Sequence, residues 1–165
     1  SVDNKEPRTQ ALELTGAGAR AVAAQGNTWE ALAIFSAAVL ALFVAGVDLV
    51  MKGDVDSAFC GVRPPGHHAE SAQSMGFCLF NNIAVGAAHA LEAHGLKKVA
   101  IVDFDVHHGN GTEEIFDGDE RILFCSSFQH PFYPFTELLE NTPNRISVPL
   151  DAISPQNCCR DIQRN

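Results

Sequence analysis

The 165-residue sequence has no CxxC pair, and its five cysteines are odd in number, with Cys158 and Cys159 adjacent. Neighbouring cysteines are poorly placed to bridge one another, so reduced intracellular thiols are expected rather than a disulfide framework. Positive charge is scarce too: 11 Lys and Arg against 20 Asp and Glu give a formal net charge of −9. Nucleic acid and anionic membrane both call for cationic surface, so neither is an expected partner, whereas a cationic substrate would be attracted. The first ten residues, SVDNKEPRTQ, are polar and carry no secretory signal, which makes the expected setting cytoplasmic. There is no internal repeat and no low-complexity tract.

One long apolar run stands out, residues 31–47, ALAIFSAAVLALFVAGV. It falls slightly short of the roughly 20 residues a membrane span needs, and Asp48 and Lys52 close it. A helix packed against a parallel sheet has the same look, and that is the expectation, with an exposed patch left by truncation as the alternative. Thr28 reads as the N-cap of a helix over residues 29–52, which Gly53 ends. Residues 57–62 read as a short buried strand, residues 63–74 as a loop punctuated by Pro64, Pro65 and Gly66, and residues 81–94 as a helix. Strands are expected at 98–104, 121–126 and 146–150, with a short helix at 111–116. Strands alternating with helices imply an α/β fold with a mainly parallel sheet. The chain divides into a helical lead (1–56), an α/β part (57–150) and a poorly defined tail (151–165).

The densest chemistry is in residues 98–112, KVAIVDFDVHHGNGT. An apolar β-branched run leads into Asp103, Asp105 and His107 at alternate positions, and in an extended strand such side chains project to one face. Carboxylates and an imidazole grouped at a strand end suit a divalent metal rather than a core. The lesser reading is a strand end that caps the following turn. His67 and His68 follow Pro64, Pro65 and Gly66, where the prolines pin the backbone and the glycine permits close approach. Ligands in open parallel sheets sit beyond the carboxyl ends of the strands, so both clusters should meet at one rim. Asn110 doubles as a helix cap, with Glu113 completing a capping box.

Together with RPPGHHA (residues 63–69) and GFCLFNN (residues 76–82), this segment resembles the histone deacetylase family, above all its bacterial, class II-like amidohydrolases. The resemblance runs from about Trp29 to about Leu150 and implies a three-layer arginase/deacetylase-like fold. It implies zinc on Asp105 and His107, and a proton-handling pair, His67 and His68, supported by Asp103 and Asn110. Gly76, Phe77 and Cys78 would line the acyl-lysine channel, with Tyr133 as the facing wall. Asp103, Asp105, His107, Ser126 and Ser127 match positions of a buried potassium site, although SSF stands where SLH is usual. His89, His94 and His130 match no motif, and His108 reads as structural. The implied substrate is an acetylated lysine peptide or an acetylpolyamine; an oligomer is left open.

The family's third zinc ligand, an aspartate of a later GxDxxxxDP-type loop, has no counterpart in this sequence, and neither does the tyrosine of a later GGY motif. Asp151 and Asp161 are ill-placed substitutes, and Tyr133 is the only tyrosine. The sequence therefore reads as the N-terminal and central part of a deacetylase domain, with a vestigial binding module as the second hypothesis. A binuclear manganese ureohydrolase is disfavoured, because those enzymes need a DxHxD pattern where this chain has DFDVHHG.

Overall fold

The computed structural model describes residues 15–152, and Asp161, Cys158 and Cys159 lie outside them. The first helix, α1 (Gly16–Met51), is continuous over 36 residues. It begins well before the expected start because its opening turns are rich in alanine, the best helix former. Thr28 is consequently not a cap: it lies inside the helix, and its hydroxyl donates to the carbonyl of Ala24 at 2.8 Å. Two compact units divide at Val39 and Leu40; the first consists, among the described residues, of the helix up to Val39.

In the second unit α1 ends as expected at Gly53, whose φ of +74° permits the Asp54 amide to donate back to Leu49 O at 3.0 Å. The helix window Ile34–Met51 has a mean hydropathy of 2.4, long and apolar enough to cross a membrane, and only 11% of it is buried. Near its end the helix packs as expected, with Phe43 and Val47 over Gly86.

Residues 57–62 form no strand. A strand needs a neighbouring backbone to bond, and this segment instead makes a tight turn, with Val62 N donating to Cys60 O at 3.0 Å. Helix α2 (Asn82–Glu92) is capped by Asn81, whose side chain accepts from Ala84 N. Strands β1 (Val99–Asp103), β2 (Ile122–Gln129) and β3 (Arg145–Leu150) form a parallel sheet in that order, with helix α3 (Asn110–Ile115) between β1 and β2.

Ala84, Ala87 and Leu91 of α2 pack with Ile101, Phe116, Ile122 and Phe124 to make the core on one face of the sheet. The opposite face is bare among the described residues: Val102, Leu123, Ile146, Val148 and Leu150 are all exposed. Alternation in β1 and β2 explains the split, since Ile101 pairs with Phe124 on the covered side and Val102 with Cys125 on the bare one.

Candidate active site

β1 ends at Asp103, so Asp105 and His107 do not lie on a pleated strand as expected. A relay of turns brings them together instead. Asp103 Oδ1 accepts the amide of Asp105 at 3.1 Å, and Asp105 Oδ1 accepts the amide of His107 at 2.8 Å. Each aspartate thereby bonds the backbone two residues on, the local habit of this side chain. The outcome is a carboxylate oxygen 2.9 Å from His107 Nδ1.

The His67–His68 turn is held from three directions. Asn82 Nδ2 donates to the carbonyls of Pro64 and Pro65 at 3.0 and 3.3 Å. The amides of Gly111 and Thr112 donate to His67 O at 2.9 and 3.2 Å. Gly66 N donates to Cys78 Sγ at 3.2 Å. Gly66 has φ +102°, and a Cβ there would lie 2.6 Å from Asn82 N, so no other residue fits.

Two imidazole dyads result. His67 Nδ1 lies 2.8 Å from Asp103 Oδ2; a carboxylate only accepts, so the ring carries its proton on Nδ1. His68 Nδ1 lies 2.8 Å from Asn110 Oδ1. The Asn110 amide nitrogen is turned to Glu70 Oε1 at 2.8 Å and Met75 Sδ at 3.4 Å, which fixes its oxygen toward His68. Asn110 is therefore not a cap: it is the first residue of α3, Gly109 occupies the N-cap without a side-chain bond, and Glu113 turns to His108 instead of completing a capping box.

A cavity of about 660 Å³ gathers Arg63, Pro64, Pro65, His67, His68, Gly76, Phe77, Asp105, His107 and Tyr133. The His67 and His68 rings lie 4.0 Å apart, and His68 stands 5.8 Å from His107 and 5.0 Å edge-on to Tyr133. Phe77 is 99% exposed at the rim, with φ +63°. Gly76 serves His68 directly, because a Cβ there would strike the imidazole.

Cys78 is not in the lining. It is wholly buried, and its sulfur holds the Gly66 turn. Ser126 is also buried, its hydroxyl 3.1 Å from His108 Nδ1. Each Asp103 oxygen accepts one protein hydrogen bond. Sequence reasoning missed Phe132, which stacks on His107 at 5.0 Å and 16°, and Glu70, which orients Asn110. Only the adjacency of Phe132 to Tyr133 and of Glu70 to the tandem histidines hinted at either.

Burial pushes the His68 imidazole below its ordinary 6.5, outweighing the hydrogen bond to Asn110, and the charges of His67 and His107 act in the same direction. For Asp105 burial works upward, yet the hydrogen bonds from the His107 amide and ring prevail and hold the carboxyl below its usual range. A charged carboxylate oxygen beside an imidazole nitrogen, opening to a cavity, fits the donor chemistry of zinc. It provides two protein donors where a catalytic zinc takes three.

The sequence profile described as histone deacetylase domain matches residues 2–159. Histone deacetylase 5 of Arabidopsis thaliana is 47% identical over 115 residues, which make up 66% of this chain and 17% of that protein. Polyamine deacetylase HDAC10 of Homo sapiens is 47% identical over 92 residues, 54% of this chain and 14% of that one. The crystal structure of the HDA15 HD domain superposes with a TM-score of 0.64 at 41% identity, covering 69% of this chain and 36% of its own. This chain thus spans less than a fifth of either curated relative and about a third of the solved domain.

Proposed function

Because the chain belongs to the histone deacetylase family, we propose that it forms the proton-handling part, and two of the metal ligands, of a zinc-dependent deacetylase acting on an acetyl-lysine or acetylpolyamine amide. The observation that carries this reading is the pair of buried dyads, His67–Asp103 and His68–Asn110, facing Asp105 and His107 across one cavity.

His68 has a neutral partner and a depressed affinity for protons, so its free Nε2 suits removal of a proton from the attacking water. His67 is backed by a carboxylate that stabilises an imidazolium, so it suits delivery of a proton to the leaving amine. Asp105 and His107 would hold the zinc, which supplies polarisation of the amide carbonyl and a more acidic water. Phe77 and Tyr133 flank the cavity with aromatic surface for an alkyl stem, and Gly76 keeps His68 free to turn toward it. An acidic protein attracts an amine-bearing substrate.

With two metal donors among the described residues, where a catalytic zinc takes three, this chain would hold zinc weakly and would not turn over by itself. In a full-length parent, His68→Ala should lower deacetylation of an acetyl-lysine peptide by about 10²–10⁴-fold with zinc content unchanged. Loss of zinc in that variant would mean that base and ligand have been exchanged in this reading.

A further inference from the structure

A second group of metal-ligating side chains lies outside the candidate active site. Asp48 sits in the last turn of α1, His89 in the last turn of α2, and His94 in the turn that follows. His89 Nε2 and His94 Nε2 lie 2.7 and 2.8 Å from the same oxygen, Asp48 Oδ1. One ligand atom from each of the three residues falls within 4.8 Å of the other two, and all three residues are half-buried. The two rings stand at 87° with centroids 5.3 Å apart, so they approach that oxygen from different directions.

The backbone holds this arrangement in place. Gly95, at φ +67°, closes α2, and the Leu96 amide donates to Ala90 O at 3.3 Å, which sets where His94 leaves the helix. Hydrogen bonds from the two rings bring the Asp48 carboxyl down to about 2, so it is a carboxylate under all ordinary conditions. Among the described residues the other charged group in reach is Lys52, 3.9 Å from the outer oxygen on a largely exposed stem, free to swing away.

We propose that Asp48, His89 and His94 form a second divalent-metal site, for a transition ion of the zinc class, with a fourth position open to water. Two imidazole nitrogens and a carboxylate oxygen are the donors such an ion prefers. Two rings converging on one oxygen are what remains when protons occupy the place of the cation. Binding at Nε2 moves each neutral ring's proton to Nδ1 by exchange with water, so that the nitrogen lone pair meets the ion. The ion joins the end of α1 to the end of α2, across 41 and 46 residues of chain. None of the three ligands lines the active-site cavity, so the site stands or falls independently of the deacetylase reading.

The test is a titration of the protein with Co²⁺ and Zn²⁺, read by visible absorption, stoichiometry and thermal melting. The His107→Ala protein, with the active-site pair disabled, should bind one equivalent of Co²⁺ with a tetrahedral d–d band, and zinc should raise its Tm. Adding His94→Gln or Asp48→Asn to that protein should weaken binding by about a hundredfold and abolish both the band and the Tm rise. Circular dichroism checks the fold, and Asp48→Asn, which keeps the side-chain shape, stands in if His94→Gln does not fold. The proposal is overturned if the His107→Ala protein takes up no ion, or takes it up equally well after either added substitution.

Discussion

The two halves of the candidate active site are built to different standards. In the His67–Asp103 dyad the side chains are 8% and 14% exposed, and the turn that carries His67 is fastened to Gly111 and Thr112 of α3. In the Asp105–His107 pair they are 42% and 34% exposed, and among the described residues the aspartate's bonds run to its own neighbour two residues on. On the proposed reading, a chain that fully supports its imidazole pair yet leaves the two proposed metal donors facing open space is preorganised for proton transfer before it is complete for metal binding. Preorganisation of the first kind costs no rearrangement during a reaction. The second kind depends on a third donor that the described residues do not bring to this pair.

The sharpest way to break that contrast is to remove the exposed half. In a full-length parent, His107→Ala should remove one equivalent of zinc, leaving only the ion held by Asp48, His89 and His94, and lower activity by about a thousandfold or more, the several kcal/mol a catalytic metal supplies. The buried dyads should be unchanged, visible as unaltered His67 and His68 ring resonances in the metal-free protein. If the zinc stoichiometry is the same before and after His107→Ala, the exposed pair is not a metal site and the contrast loses its meaning.

The two dyads can also be made alike. Asn110→Asp sets a carboxylate against His68, and an opposite charge at hydrogen-bond distance favours the protonated ring. His68 now lies below 6.5 because of burial. The base is neutral above its pKa, so the acidic limb of kcat/KM should fall below pH 6.5 in the parent and move upward by about one unit or more in the variant. The stability sign follows from the same shift. The unfolded chain binds the His68 proton more readily than the native one, so this group's contribution is complete above pH 6.5 and declines as pH falls through the lowered native value. An acidic limb that stays in place would show that His68 is not the titrating base.

Which parts were legible depends on whether a local rule or a distant partner set the outcome. The β1 to β3 strands and the helix read at 81–94 with its stop at Gly95 follow from apolar runs and glycine punctuation, the pairing of His67 with Asp103 and of His68 with Asn110 is implied by the family resemblance, and the structure has them all. Residues 57–62 look like a strand by composition, but without a neighbouring backbone they stay irregular. Asp105 and His107 do end side by side, though through side-chain-to-backbone turns and not through a pleat. Cys78 looked like a lining thiol, yet the orientation of one side chain decides whether a sulfur faces a cavity or a turn. His89 and His94 looked idle because their partner, Asp48, lies on a different helix.

The smallest expected effect concerns the sheet, whose two faces repeat the contrast between supported and open halves. Ile122 is wholly buried under α2, whereas Val102 on the other face is 67% exposed. Parallel strands are normally covered on both sides, and the solved relative is longer than this chain, which covers 36% of it. Ile122→Ala should therefore cost about 2–5 kcal/mol in any context, since it opens a cavity in a packed core. Val102→Lys should shift urea unfolding of this chain by less than about 0.5 kcal/mol, the usual cost at an open surface position. In a full-length parent the same lysine would meet whatever covers that face, and a buried unpaired ammonium costs far more than an exposed one. A Val102→Lys penalty equal in the two proteins would show that this face stays open in the longer one, and that the missing second layer is no part of how this sheet is stabilised.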